Sequence, residues 1–217
     1  EAYVEPVIEG GGYRFTVKTG TPKNGERVKN GTKLSRGANF ECLMSATPIA
    51  GDYIKAEGKA GRMGARLMAI VADGGRGRVY LAPTPEHEAA PRDAKPDWRP
   101  EVEFFQQALG FRVGNYGMTK WSDLFTDRQL VALTTFSDLV GEAIQRVHCD
   151  ALAAGYSDDP TALREGGTGA LAFSESVGTF LSLGVSKLSD SGNALVSWKA
   201  SMNQPIHLFT RQAIPMV

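Results

Sequence analysis

The period of apolar and polar positions changes along this chain, and the change divides it. In "YRFTVKTG" (13–20), Tyr13, Phe15 and Val17 alternate with polar neighbours, the period-two pattern of a half-buried strand. "ANFECLM" (38–44) reads as another strand. "ARLMAIVADGGRGRVYLAP" (65–83) predicts a hairpin: an apolar run, a glycine-rich turn, then a second run with Val79 and Leu81 on one face. Two Asn-Gly pairs within 22–37 favour positive φ and tight turns. The stretch "YIKAEGKAGRMGAR" (53–66) has no sustained period and reads as an ordered loop or short helix. Residues 84–120 carry Pro and Trp and read as mostly irregular, with Thr84 capping a short helix that has Pro85 in its first turn.

From residue 125 the period lengthens. Leu133, Phe136, Val140, Ile144 and Val147 recur at spacings of three and four, which predicts a helix within 125–155 with one apolar face. Thr126, with Gln129 three residues on, makes a capping box, and Gly155 is a stop signal. Phe173, Val177, Phe180, Leu181, Gly184 and Leu188 mark a second helix that ends before Gly192. The expected fold class is therefore α+β. A β-rich region spans 1–83, a mostly irregular linker 84–120 and a helical region 121–217.

Composition narrows the partners. A chain of 217 residues suits one large domain or two small ones. At that length about 70% of the unfolded surface can be buried, so folding needs no metal or disulfide. Basic and acidic side chains balance at 24 each, so any basic patch must be local. Two cysteines, Cys42 and Cys149, make no disulfide framework, which points to a reducing, cytoplasmic compartment. No run approaches the ~20 apolar residues of a membrane span, so no membrane partner is expected. The first residues, "EAYVEPV", lack the features of a signal peptide. With no initiator Met and an apolar close on "RQAIPMV", the chain reads as a piece of a longer protein.

Candidate chemistry is sparse. His87, His148 and His207 lie far apart without ligand partners at metal spacing, and read as surface or structural. There is no phosphate-binding Walker loop and no nucleophile elbow. "GGGYRF" (10–15) puts glycines before a strand, the reverse of the strand–glycines–helix order of a nucleotide loop. Asp159-Pro160 is followed by Thr161, whereas an amino-methyltransferase motif needs a second Pro and an aromatic to hold the target amino group and stack the base. It reads instead as a helix start, with Asp159 as cap and Pro160 in the first turn. Cys42 is followed three residues later by Ser45, where a zinc knuckle has its second Cys. One thiolate cannot supply zinc's four ligands, so Cys42 reads as a buried thiol on a strand, with no metal. The local basic set is Lys55, Lys59, Arg62 and Arg66, with Gly58, Gly61 and Gly64 between them. Such a loop can bring backbone amides and cations to DNA phosphates; equally, it can be a solvated loop packed on a partner domain.

Three stretches together resemble a known family. They are "GTKLSRGANFECLMSATPIAGDYIKAEGKAGRMGARLMAIVADGGRGRVYLAPTPEHEAA", "YGMTKWSDLFTDRQLVALTTFSDLVGEA" and "FTRQAIPMV", covering most of 31–150 and the carboxyl-terminal stretch. They are similar to prokaryotic adenine-specific DNA methylases that contain a zinc-ribbon module and are several times longer. Many members carry Cys-x-x-Cys where this chain has Cys42 to Ser45, so the resemblance implies a degenerate ribbon: the β-scaffold without the metal. It also implies a parent enzyme that uses S-adenosylmethionine. In the family the cofactor loop precedes the matched region and the Asp-Pro-Pro-Tyr motif follows it, so no catalytic or cofactor-binding residue is carried over. The chain would be a middle segment that contacts DNA or packs on the flanking methyltransferase domain. The alternative is a protein-interaction scaffold with no direct DNA role.

Overall fold

The computed structural model describes residues 2–35, 37–105 and 112–206. His207 and the stretch "FTRQAIPMV" lie outside the described residues.

Turn chemistry organises the first half. Strands β1 (Ala2–Glu9) and β2 (Gly12–Thr19) pair antiparallel, from Ala2 opposite Thr19 to Glu9 opposite Gly12. Gly10 and Gly11 between them have φ of +57° and +74°, the two positive values that a tight primed turn requires. The glycine triplet is thus hairpin chemistry. The Asn-Gly pairs do something other than turn strands: they bracket helix α1 (Gly25–Asn30). Asn24 caps it, its Oδ1 accepting from the Arg27 amide at 2.9 Å, and Gly31 (φ +60°) closes it with its own amide donating to the Arg27 carbonyl.

The strand expected over 38–44 shrinks to β3 (Phe40–Glu41), paired with β4 (Pro48–Ile49). Helix α2 (Gly51–Lys59) follows, resolving the ambiguity at 53–66. The hairpin at 65–83 forms as β5 (Ile70–Gly74) and β6 (Gly77–Leu81). Val79 and Leu81 share one face, as the alternation implied, and that face is the outer one. Tyr80 turns inward, edge-on to Trp198 at 6.2 Å, and donates its hydroxyl to Asn203 Oδ1 at 2.7 Å. Trp198 belongs to β7 (Trp198–Lys199), paired with β8 (Gln204–Pro205). Among the described residues every sheet has two strands. Helix α3 (Pro85–Ala89) begins at its Thr84 cap as the sequence implied.

The segment read as a linker contributes half of the core cluster, Phe104 and Val113. Phe104, Val113 and Leu124 are buried together with Leu195, which arrives from beyond the last helix; Met118 and Phe125 pack around them. Asn193 docks that returning segment. Its amide bonds the Ser189 and Asp190 carbonyls, and its Oδ1 accepts from the Leu195 amide. The neighbouring Ala194 amide reaches the Leu124 carbonyl at 2.8 Å.

Helix α4 (Asp127–Ala153) is the longest among the described residues. The Thr126–Gln129 capping box is closed in both directions. Its far end carries the 6→1 and 5→2 bonds of a Schellman motif, Tyr156 amide to Ala151 carbonyl and Gly155 amide to Leu152 carbonyl, with Gly155 at φ +92°. Helix α5 (Ala170–Ser191) runs back antiparallel: Phe173 meets Tyr156 at 5.0 Å between ring centroids, and the residues after α5 reach Leu124. The helices meet through small residues. Ala170, Ala172, Ser174 and Gly178 are buried, and a β-carbon on Gly178 would fall 2.5 Å from Ile144 Cγ1. Close approach at the small residues leaves part of the large stripe outside, while Leu133, Val140, Ile144 and Val147 of α4 are half-buried. Phe136, Phe173, Phe180, Leu181 and Leu188 are exposed rather than forming a core. Asp159 also departs from expectation. It starts no helix but folds an Asx turn, accepting from the Thr161 amide (2.9 Å) and hydroxyl (2.6 Å); the helical turn Leu163–Glu165 comes later.

The arrangement is α+β: small antiparallel hairpins first, long helices after. No described helix is long and apolar enough to cross a membrane.

Candidate functional site

The knuckle position comes first, because its backbone is unusual. After β3 the chain reverses through Cys42–Thr47: the Cys42 amide bonds the Thr47 carbonyl (2.8 Å), and the Ala46 amide bonds the Cys42 carbonyl (2.9 Å). Ala46 sits at φ +56°, a conformation that L side chains rarely adopt. The turn aims donors at the sulfur. The Ser45 hydroxyl, then the Ser45 and Met44 amides, hold the Cys42 thiol below its ordinary pKa. Cys42 is half-buried and lies in the turn, so the expectation of a buried thiol within a strand is corrected on both points. The Ser45 and Thr47 hydroxyl oxygens lie 3.0 Å apart, so Thr47 can donate to Ser45 while Ser45 donates to the sulfur. The donor set does not fit zinc: a hydroxyl stands where a second thiolate would, and no group of three or more His, Cys, Asp or Glu side chains gathers among the described residues.

The basic set lies on and after α2, the helix that follows β4 directly. Three of its four cations are held by acids. Lys55 bonds Asp52 at 3.0 Å, three residues earlier on the helix. Arg62 forks onto both carboxylate oxygens of Glu57, at 2.8 and 2.7 Å. Arg66 reaches Glu88 on α3 at 3.0 Å and lies over the Tyr13 ring at 4.9 Å. The hydrogen bond to Arg62 lowers the Glu57 pKa, and those to Asp52 and Glu57 raise Lys55 and Arg62. Lys59, the last residue of α2, has no ion-pair partner among the described residues. The sequence names these acids, and Asp52 stands at the i,i+3 spacing that pairs on a helix. Glu88 could not have been found from spacing, since it lies 22 residues from Arg66.

The glycines of this stretch divide. Gly58 is buried where α2 crosses the turn Val113–Tyr116; a β-carbon there would lie 2.6 Å from the Tyr116 carbonyl oxygen. Gly117 (φ +88°) makes the reciprocal approach, to the Gly58 carbonyl. This pair joins two backbones, so Gly58 is not available to a phosphate. Gly61 and Gly64 have open space around them.

The histidines are dispersed. His87 Nδ1 accepts from the Thr84 amide at 3.2 Å, completing the cap of α3. His148 lies on α4, its Nδ1 buried without a partner among the described residues. Comparison of the chain with family models, with curated proteins and with solved structures gives no match.

Proposed function

We propose that this chain is the non-catalytic middle segment of an S-adenosylmethionine-dependent, adenine-specific DNA methyltransferase, and that its work there is to pack domains. The family assignment rests on the sequence resemblance. The parent enzyme would flip its adenine out of the duplex to reach the N6 amino group. The cofactor and the catalytic clamp would come from the flanking methyltransferase domain.

One observation favours packing over DNA contact. The cations that could grip phosphates at 55–66 are mostly neutralised within the chain, while large apolar side chains on α2 and elsewhere are open. Tyr53 on α2 is 60% exposed, Trp98 62% and Val102 68%. Binding DNA through Arg62 would first have to break a bidentate carboxylate pair, whereas covering Tyr53 and Trp98 with a neighbouring domain gains burial at roughly 25 cal/mol per Å². The Gly58–Gly117 crossing serves the same end by fixing α2 on the core segment.

The test replaces Lys55, Lys59, Arg62 and Arg66 with Ala in the parent enzyme and measures DNA affinity against salt. A packing segment leaves affinity and slope unchanged. A DNA-gripping one loses up to about 0.9 in log–log slope per phosphate contact removed. That loss would return the function of this stretch to DNA contact.

A further inference from the structure

The two long helices carry an apolar face on one side, and the pattern of its residues says what could cover it. At about 100° per residue, Phe136 and Leu139 lie about 80° and 140° round α4 from Ile144, where that helix touches Gly178. Counted in the same sense from Gly178, Leu181, Leu188, Phe173 and Phe180 lie about 60°, 80°, 140° and 160° round α5. Equal senses of rotation point to the same side when two helices are antiparallel. The six side chains therefore share one face of the hairpin. All six are exposed, Phe180 to 74%.

We propose that this face is a self-association surface, on which a second copy of the chain docks its own α4–α5 hairpin about a two-fold axis to complete a four-helix bundle. The area is adequate. With ~200 Å² for a large apolar side chain, the six leave about 580 Å² open, and half-buried Val140, Val147 and Val177 extend the strip. That is at the upper end of the ~300–600 Å² of the largest patch on a typical monomer, and with its flanking residues it approaches the ~800 Å² per partner of a standard interface. The face carries few charges, of both signs. Its α5 side carries no charged residue between Leu181 and Phe180; on α4, Asp150 lies within it at about 120°, paired with Arg146 at 3.1 Å, and the cations Arg128 and Arg146 border it at about 160°. A two-fold pairing needs a single self-complementary patch, and this strip is one. The small residues stay inside each hairpin, so the new contact is made by large side chains, as in the core of a bundle. The proposal does not depend on the methyltransferase reading.

Sedimentation velocity of the 217-residue chain from about 1 to about 100 μM reads the outcome directly. The expected mass is twice that of the chain at the upper end. Phe180→Asp should weaken the dimer at least about 30-fold, the loss expected for a central aromatic, with unchanged helical circular dichroism. Gln145→Lys, on the opposite side of α4, should leave the dimer intact. One-chain mass throughout the range would overturn the proposal and leave the face to a different domain. So would a dimer that survives Phe180→Asp with its helices folded.

Discussion

Cys42 shows how much one substitution changes. A thiol at Ser45 would make a metal-binding pair; a hydroxyl there makes a hydrogen-bond donor to sulfur. Two consequences follow from the same geometry. Purified protein should hold far less than one zinc per chain, and stoichiometric metal bound through Cys42 would mean that ligands lie outside the described residues. Cys42 should also alkylate with a lower pH midpoint than a free thiol, and Ser45→Ala should move that midpoint upward. The folded value lies below the unfolded one, so the thiolate's contribution to stability exists above the ordinary thiol pKa and is lost as pH falls through the folded value. A midpoint unmoved by Ser45→Ala would contradict the hydrogen-bonded thiolate. The sequence shows plainly that Ser45, not a second Cys, stands three residues after Cys42. It could not show the positive φ of Ala46, or that Arg62 and Arg66 spend their charge on Glu57 and Glu88, because both depend on how the chain folds back on itself.

Elements separate into those that local chemistry specifies and those that packing decides. Helix α4 is of the first kind: Thr126, Gln129 and Gly155 mark its ends in the sequence and do so in the structure. Thr126→Ala should cost ~1 kcal/mol in denaturant unfolding, since the amide it caps loses its partner. The faces of α4 and α5 are of the second kind. Periodicity located the apolar stripes, but α4 uses only one edge of its stripe, at Ile144, and α5 meets it through Ser174 and Gly178 rather than through its large residues; a pattern of large residues cannot reveal that preference for small ones. Phe136, 47% exposed, should therefore lose less on truncation to Ala than the ~3–5 kcal/mol of a buried Phe. Leu195, fully buried with Leu124, should lose ~2–5 kcal/mol. The α2 crossing is the strictest contact. Gly117→Ala would drive a β-carbon into the Gly58 carbonyl from a left-handed backbone and should destabilise by about 1–3 kcal/mol or more. A neutral Gly117→Ala variant would mean that α2 is not seated on this turn.

At the scale of the molecule, surface is the dominant fact. The chain exposes 14650 Å², where a compact monomer of 23.3 kDa exposes about 9,700 Å². Two-stranded hairpins explain the excess, because each has too little apolar area to close a core by itself. The general scaling allows a chain of this length about 70% burial, and this chain falls short of it; among the described residues no sheet is wider than two strands. An open chain of this kind is suited to packing against other domains. Methyl transfer also needs a cofactor pocket and a clamp on the adenine amino group within about 3 Å of reacting distance, and the resemblance places both outside the matched region. The isolated chain should accordingly show no saturable S-adenosylmethionine binding in calorimetry; tight binding would reveal an active site within it. The most direct measurement of the central claim is N6-methyladenine formed on DNA by the parent protein with S-adenosylmethionine, compared between wild type and a variant with Tyr53 and Trp98 changed to Ser. The account predicts methylation by the wild type and a marked loss in the variant, with DNA affinity retained. No methylation by the wild type, or full activity in the variant, would contradict it.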